Sequence, residues 1–569
     1  MIKSRAAVAA VAIALLTGLT AACGAGGGQG ATAGAAFDPN ACQGGTLTVL
    51  NHRGQGNFDP AELYTSGGGK VPTLTFRTLT TRNHITDGPD SAKVVPDLAT
   101  NTGEPNQDAT VWTYHLRPGL KFEDGTPIRS ADIKYGLERS FAPELPGGPP
   151  YLRDWLVGGE TYQGPYKGGD LASIETPDDS TIVFKLRKPE GDFPFLATAT
   201  QFAPVPKSKD TGTDYQKHPV SSGPYKVVSN DGGKTITLDR NPSWSRSVDD
   251  QRLACPDRIQ VLSGLDKSVI NQRLAAGTGD DAHAVTTDSN VDASVLAKLN
   301  SDSALKSRVV TGYFGETQYL AFNPKVKPFD DVRVRQAIAY AIDRQSVVNA
   351  VGGSAVAKPA TTFLPDQAAF GHTPYDYFPA GQSGDPAKAK ELLAQAGYAG
   401  GLTITLDHST VTGDGSGPEV AAAVQQALGK AGITVKLEGT ADDDYQTKYQ
   451  KPATEPGLFL TSWGADWPSG GPFLAPVFDG RQILADGGNY NSFQLNDPQV
   501  NAEIDAANKL TDPAQAAKAW GALDAELGKQ AYLVPLYHPV YERLFGKGVK
   551  NAYVSQWNGV YDLSRISVK

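Results

Sequence analysis

WTYHLRPGLKFEDGTPIRSADIKYGLERSF, Trp112 to Phe141, reads as a strand ending in Leu116-Arg117, a turn at Asp124-Gly125-Thr126-Pro127 and a helix capped by Ser130. Downstream the same alternation recurs. Between Asp330 and Val348, the residues Val334, Ala337, Ile338, Ala341 and Ile342 share one helical face. A second helix starts with Asp385 as N-cap and Pro386 in its first turn, turns Ala389, Leu392, Leu393 and Ala396 inward, and stops near Gly397. A third, Pro418 to Lys430, buries Val420, Val424, Ala427 and Leu428 and passes through Gly432 into the strand Ile433 to Leu437. Helices feeding strands through short turns predict an α/β fold. YKVVSNDGGKTITLDR, Tyr225 to Arg240, is a hairpin turning at Asn230-Asp231-Gly232-Gly233.

The composition is that of an ordinary globular chain. In 569 residues, 61 acidic and 52 basic side chains leave a formal charge of −9, and no Lys/Arg-rich run forms a nucleic-acid surface. Beyond the N-terminus no stretch approaches the roughly 20 apolar residues of a membrane span. The N-terminus itself, with Lys3 and Arg5 before the apolar run Ala6 to Leu16, has the layout of an export signal over 1–22. Thr20-Ala21-Ala22-Cys23 resembles a bacterial lipobox, although Thr20 stands where Leu is usual. Cys23 is then the lipidated first residue and 24–41 a Gly/Ala-rich tether. The other reading is an ordinary cleaved signal with an incidental cysteine. Cys42 and Cys255 remain, each just before a strand-like run, Thr46 to Leu50 and Arg258 to Leu262. In an exported chain such a pair reads as a disulfide that makes one domain discontinuous in sequence.

Local catalytic signals fail one by one. Gly233-Lys234-Thr235 lacks the phosphate-loop glycine, since Val228 stands there, and a strand follows instead of a helix. The histidines show no zinc-helix spacing, and Ser66, Ser222 and Ser469 lack the nucleophile elbow. No metal or cofactor is expected. A secreted, tethered hydrolase assembled from distant residues stays open at this point, as does a scaffold or adhesion module.

Four segments together resemble the extracytoplasmic peptide/nickel solute-binding proteins of ABC importers, of the oligopeptide/dipeptide-binding lipoprotein type. They are Trp112–Phe141; Ser222-Gly223-Pro224-Tyr225 with its hairpin and Arg240-Asn241-Pro242; FNPKVKPFDDVRVRQAIAYAIDR from Phe322, with DPAKAKELLAQAGY after it; and WGADWPSGGPF from Trp463. The resemblance implies a two-lobed α/β periplasmic-binding-protein (Venus flytrap) fold with mixed sheets and an extra subdomain on the first lobe. Lobe I would gather 42–75, 205–312 and 535–569, the subdomain 76–204, and lobe II 313–534. The implied function is capture of short peptides between the lobes of a monomer, for delivery to a membrane permease and its ATPase subunits. On the family's pattern Ser462 and Gly464 pair with the peptide backbone, Trp463 packs beside it, and Asp466 receives its free α-amino group. Tyr151 lines the cleft from the subdomain, Tyr64 and Thr65 border it from lobe I, and Asn491 borders it from a loop of lobe II. Ser469-Gly470-Gly471 departs from relatives that carry a further acid and proline there. Within the same fold a metal chelate, haem or an oligosaccharide is the alternative ligand.

Overall fold

Thr46–Leu50 and Arg258–Leu262 lie side by side as parallel strands, Thr46 opposite Arg258 and Leu50 opposite Leu262. Cys42 and Cys255 are disulfide-bonded just ahead of them, their Cα atoms 5.2 Å apart across a sequence separation of 213. In this computed structural model, which describes residues 38–64, 71–86, 88–411, 415–556 and 558–569, the two strands are the centre of a five-stranded mixed sheet. Ala284–Val285 flanks one side and the hairpin Tyr225–Asp231/Thr235–Arg240 the other. Its core draws Leu47, Val49, Ile259 and Val261 together with Val549, Tyr561 and Ile566 from the far end of the chain. This sheet and its core are therefore assembled from segments far apart in the sequence. Replacing Cys42 and Cys255 together by serine is expected to lower stability by about 2–4 kcal/mol, because so long a loop is closed in the unfolded chain. A shift of the urea midpoint checks it. The proposed leader, Cys23 and the tether up to residue 37 lie outside the described residues, as does Thr65.

Trp112 to Phe141 opens the subdomain. Val111–His115 sits in a four-stranded antiparallel sheet with Glu104–Pro105, Thr181–Lys185 and Ile174–Asp178. The helix covers Ser130–Arg139, but Ser130 is not its cap. Its hydroxyl donates to the Asp178 carbonyl at 2.5 Å, while Asp132 folds back to accept the Arg129 N–H at 2.8 Å. At the other end of the helix, Arg139 reaches into the first lobe. Its Nη1 and Nη2 donate to Asp59 Oδ1 and Oδ2, both at 2.7 Å, with both side chains fully buried.

The second lobe is built on a larger mixed sheet in the order 309–313, 533–544, 316–322, 458–464, 402–409, 433–440, with Ala357–Pro359 also paired to Leu533–Leu544. The helical stripes pack as their spacing predicts, with Val334, Ala337, Ile338, Ala341 and Ile342 in one core. That segment is two helices, Val332–Ala341 and Arg344–Ala350, because Asp343 caps the second through the Ser346 N–H. Asp385 caps Pro386–Gln395, and Pro418–Lys430 leads to Ile433–Thr440. The expected lobe limits at 312/313 and 534/535 fall inside the strands Val309–Tyr313 and Leu533–Leu544, which pair with each other.

Buried acids in this lobe carry a pH signature. Glu455 is 7% exposed and accepts from Gln494 at 2.9 Å, and burial pushes its carboxyl up to about 8. The folded state therefore holds a proton that the unfolded chain releases near its ordinary value of about 4.3. That contribution is present at low pH and lost as pH rises towards about 8. Glu455→Gln is expected to raise the melting temperature most at pH 8 and to leave it unchanged near pH 3, below the unfolded pKa, each pKa unit being worth about 1.4 kcal/mol.

Candidate functional site

The elements around Asp466 come from all three parts of the fold. Asp466 follows the strand Leu458–Gly464, whose antiparallel partner is Glu316–Phe322. Ala465 N–H bonds to the Gly315 carbonyl at 3.0 Å, and antiparallel pairs alternate. Trp463 accordingly points its main-chain groups at Thr317, while those of Ser462 and Gly464 point to the opposite edge. On that edge the neighbouring strand Leu402–Ser409 is in register only at Asp407 with Phe459. Tyr445 Oη then covers the Leu460 carbonyl. Among the described residues no strand pairs with Ser462–Gly464 there.

Tyr64 and Tyr151 reach Asp466 from across the cleft. Tyr64 Oη donates to Asp466 Oδ2 at 2.8 Å, and Tyr151 Oη donates to the same oxygen. Among the described residues Oδ1 receives no hydrogen bond. Enclosure raises the Asp466 carboxyl, against the two phenols, which favour its charged form. Burial and the facing carboxylate in turn raise the Tyr151 phenol.

Both tyrosines are placed by their surroundings. The turn before Tyr64 is held by Arg139 on Asp59 and by Thr200 Oγ1, which donates to the Pro60 carbonyl at 3.0 Å. Tyr151 starts the short helix Tyr151–Trp155 after Pro149-Pro150. Gly148, just ahead, lies so close to lobe I that a Cβ would sit 2.3 Å from the Ala61 carbonyl oxygen. Trp467, next to Asp466, inserts into the subdomain core: its ring centroid lies 4.8 Å from Tyr151 and 5.8 Å from Trp155. Its Nε1 donates to Asp192 Oδ2 at 2.8 Å. Beside it, the Gly191 N–H donates to the Asn508 carbonyl at 2.6 Å. Asp466, Trp467 and the segment at Asn508 are thus in contact with the subdomain, beside a cavity of about 1030 Å³, at the upper end of the usual range for ligand pockets.

Tyr64, Tyr151, Gly464 and Asp466 line this cavity; Ser462 and Trp463 do not. Trp463 packs on Tyr490 at 4.6 Å and donates Nε1 to the Pro472 carbonyl at 3.0 Å. Asn491 is away from the cavity too. Fully buried, it uses its amide within its own loop, accepting from Leu495 N–H at 3.0 Å and donating to the Leu495 carbonyl at 2.8 Å. This is turn chemistry, with each polar atom of the side chain engaged by Leu495.

Other lining residues were not foreseen: Arg82, Phe195, Arg252, Glu316 and Arg543. Burial lowers Arg82 to about 9, with Asp192 opposing the shift. Glu316, raised by burial, accepts from Gln318 at 2.8 Å. Arg252 is held by Asp97 and Asp249 at 2.8 and 3.0 Å in a buried ion network. No periodicity or motif marks these residues, because distant segments bring them to the cavity. Among the described residues no group of His, Cys, Asp and Glu is arranged to hold a metal, and no helix is long and apolar enough to cross a membrane.

The comparisons with known proteins agree on one family. Residues 93–484 match the model of bacterial extracellular solute-binding proteins, family 5. A solved structure titled clavulanic acid biosynthesis oligopeptide binding protein 2 is 35% identical, with a TM-score of 0.85, covering 92% of this chain and 96% of that one. The unliganded open form of the periplasmic murein tripeptide binding protein MppA has the same fold, at a TM-score of 0.76 and 23% identity over 92% of this chain and 97% of its own. The glutathione-binding protein GsiB of Salmonella typhi is 27% identical over 460 residues, 78% of this chain and 80% of that one. On the match over residues 93–484 and the likeness in sequence and fold over nine-tenths of its length, the chain belongs to the bacterial extracellular solute-binding proteins of family 5.

Proposed function

We propose that this chain captures short peptides in its interlobe cleft and delivers them to the permease and ATPase subunits of an ABC importer. The work is binding, not catalysis. The observation that carries the reading is Asp466, a carboxylate facing Tyr64 and Tyr151 across the cleft, one of whose oxygens receives no donor and beside which the edge at Gly464 is unpaired among the described residues. A carboxylate so placed favours an ammonium group through a charge-assisted bond. An unpaired strand edge favours an extended main chain whatever its side chains. Relatives described as binding an oligopeptide and glutathione support the same class of ligand.

In this reading lobe I comprises 42–75, 205–312 and 535–569, the subdomain 76–204 and lobe II 313–534. Contacts from both lobes to one ligand stabilise the shut form over an open one. Cys23 carries the lipid that holds a monomeric receptor at the outer face of the bacterial membrane, and 24–41 is its tether. Labelling with a fatty-acid analogue tests the anchor: loss of label in Cys23→Ser supports it, and retention rejects it.

The ligand is tested by mass spectrometry of the small molecules released on denaturing protein purified without refolding. A nested set of short peptides is the expected result. A single non-peptide compound, such as a metal chelate, haem or an oligosaccharide, would keep the receptor and reject the peptide.

A further inference from the structure

The cavity has a second polar region, at the strands that join the lobes. Gly464 lies against Phe314, whose ring stacks edge-on to Tyr541 at 6.1 Å. The Arg543 guanidinium lies 5.2 Å from the centre of that tyrosine ring. One continuous wall therefore runs from the Asp466 segment to Arg543, and Phe314, Gly464, Tyr541 and Arg543 all line the cavity.

Arg543 is 5% exposed. Its Nε donates to the Gly559 carbonyl at 3.2 Å, and its buried Nη1 has no hydrogen-bond partner among the described residues. No carboxylate forms an ion pair with it among the described residues. Asp288, an acid whose charge acts on it, already accepts the His52 and Arg53 N–H groups at 3.0 and 2.8 Å. Glu316 accepts from Gln318. Two further cavity residues, Tyr561 and Ser555, carry buried hydroxyls that have no partner among the described residues. A buried guanidinium without an anion is destabilising, and so is each buried donor without an acceptor. Burial pulls the Arg543 pKa down, yet a guanidinium stays charged in proteins.

We propose that Arg543, with Tyr561 and Ser555 beside it, is the subsite for a carboxylate of the ligand, so that the cleft selects zwitterions held by their amine at Asp466 and by a carboxylate at Arg543. A carboxylate matches the guanidinium fork, and its remaining lone pairs match the hydroxyls. The inference rests on the peptide reading above and narrows it.

The test is competitive retention of a peptide library two to five residues long, read by mass spectrometry. Each sequence is offered free, N-acetylated and C-amidated, with Glu-for-Gln pairs among the amides. The expected result is at least a tenfold preference for the carboxylate form at one or more lengths. Free acid over amide identifies the terminal group, and Glu over Gln identifies a side chain. Arg543→Gln should abolish that preference and keep the preference for a free amine, and Arg543→Lys should restore part of it. Equal retention of acids and amides by the unmodified protein, with acetylated peptides still rejected, overturns the Arg543 subsite and leaves the peptide reading standing. A carboxylate preference that survives in Arg543→Gln overturns it as well. Retention of no peptide in any form sinks both.

Discussion

Replacing Asp466 with alanine is expected to weaken peptides with a free amino terminus about a hundredfold, close to 3 kcal/mol, and to leave N-acetylated peptides unaffected. Truncating one partner of an enclosed, hydrogen-bonded charge pair typically costs about 2–5 kcal/mol, much of it from the charge left unpaired. The geometry places that loss at one oxygen pair. Tyr64 and Tyr151 both donate to Oδ2, so an incoming ammonium has Oδ1 to itself and pulls the carboxyl towards its ionised form. Titration calorimetry of one peptide in its free and acetylated forms measures both numbers. Equal affinities of the two forms for the unmodified protein would reject the role given to Asp466. The sign of the pH dependence follows. Enclosure raises the empty site's carboxyl, and an ammonium favours the charged form, so binding releases a proton. Affinity for a free amine should rise as pH rises through the empty site's pKa and fall as pH drops below it.

The second large effect concerns stability. Arg139→Met is expected to cost about 3–5 kcal/mol, because it leaves the fully buried Asp59 carboxylate without its partner. The same guanidinium donates Nε to Asp210 at 3.1 Å, so two acids lose their cation at once. Adding Asp59→Asn should recover part of the loss, since removing both charges is far less costly than removing one. Denaturant midpoints of the single and double variants measure this. There is a functional side as well. Asp59 Oδ1 also accepts the Ala61 N–H at 2.9 Å, which fixes the turn that delivers Tyr64. The single variant, assayed where it remains folded, should therefore bind peptides less tightly than the double.

How much of this was legible depends on how local each determinant is. The pairing of Thr46–Leu50 with Arg258–Leu262 could be read because a cysteine precedes each strand and an exported chain pairs its cysteines. The stripes Val334–Ile342 and Ala389–Leu393 could be read because a helix repeats its contacts every three or four residues. Ser130 was misjudged as a cap because a serine before an apolar run satisfies the rule, whereas here the distant Asp178 carbonyl takes its hydroxyl. Asn491 shows the same competition between local and distant partners, for its amide bonds to Leu495 of its own loop. Tyr64, Tyr151 and Asp466 reached the cleft only through the family resemblance, for nothing in the spacing of three residues so far apart predicts a shared hydrogen bond. Arg543 was illegible because its want of an ion pair among the described residues is a property of the assembled interior, which a sequence does not display.

Trp467 belongs by chain to lobe II and by packing to the subdomain, 4% exposed between Tyr151 and Trp155. Parting the lobes must draw this indole out of its aromatic neighbours and wet it. Indole emission shifts to longer wavelength on wetting, so the molecule carries an optical gauge of its own state. Ligand should move the spectrum to the blue, and Trp467→Phe should remove that response. Substrates can then be screened by colour alone, with no label and no prior idea of what they are.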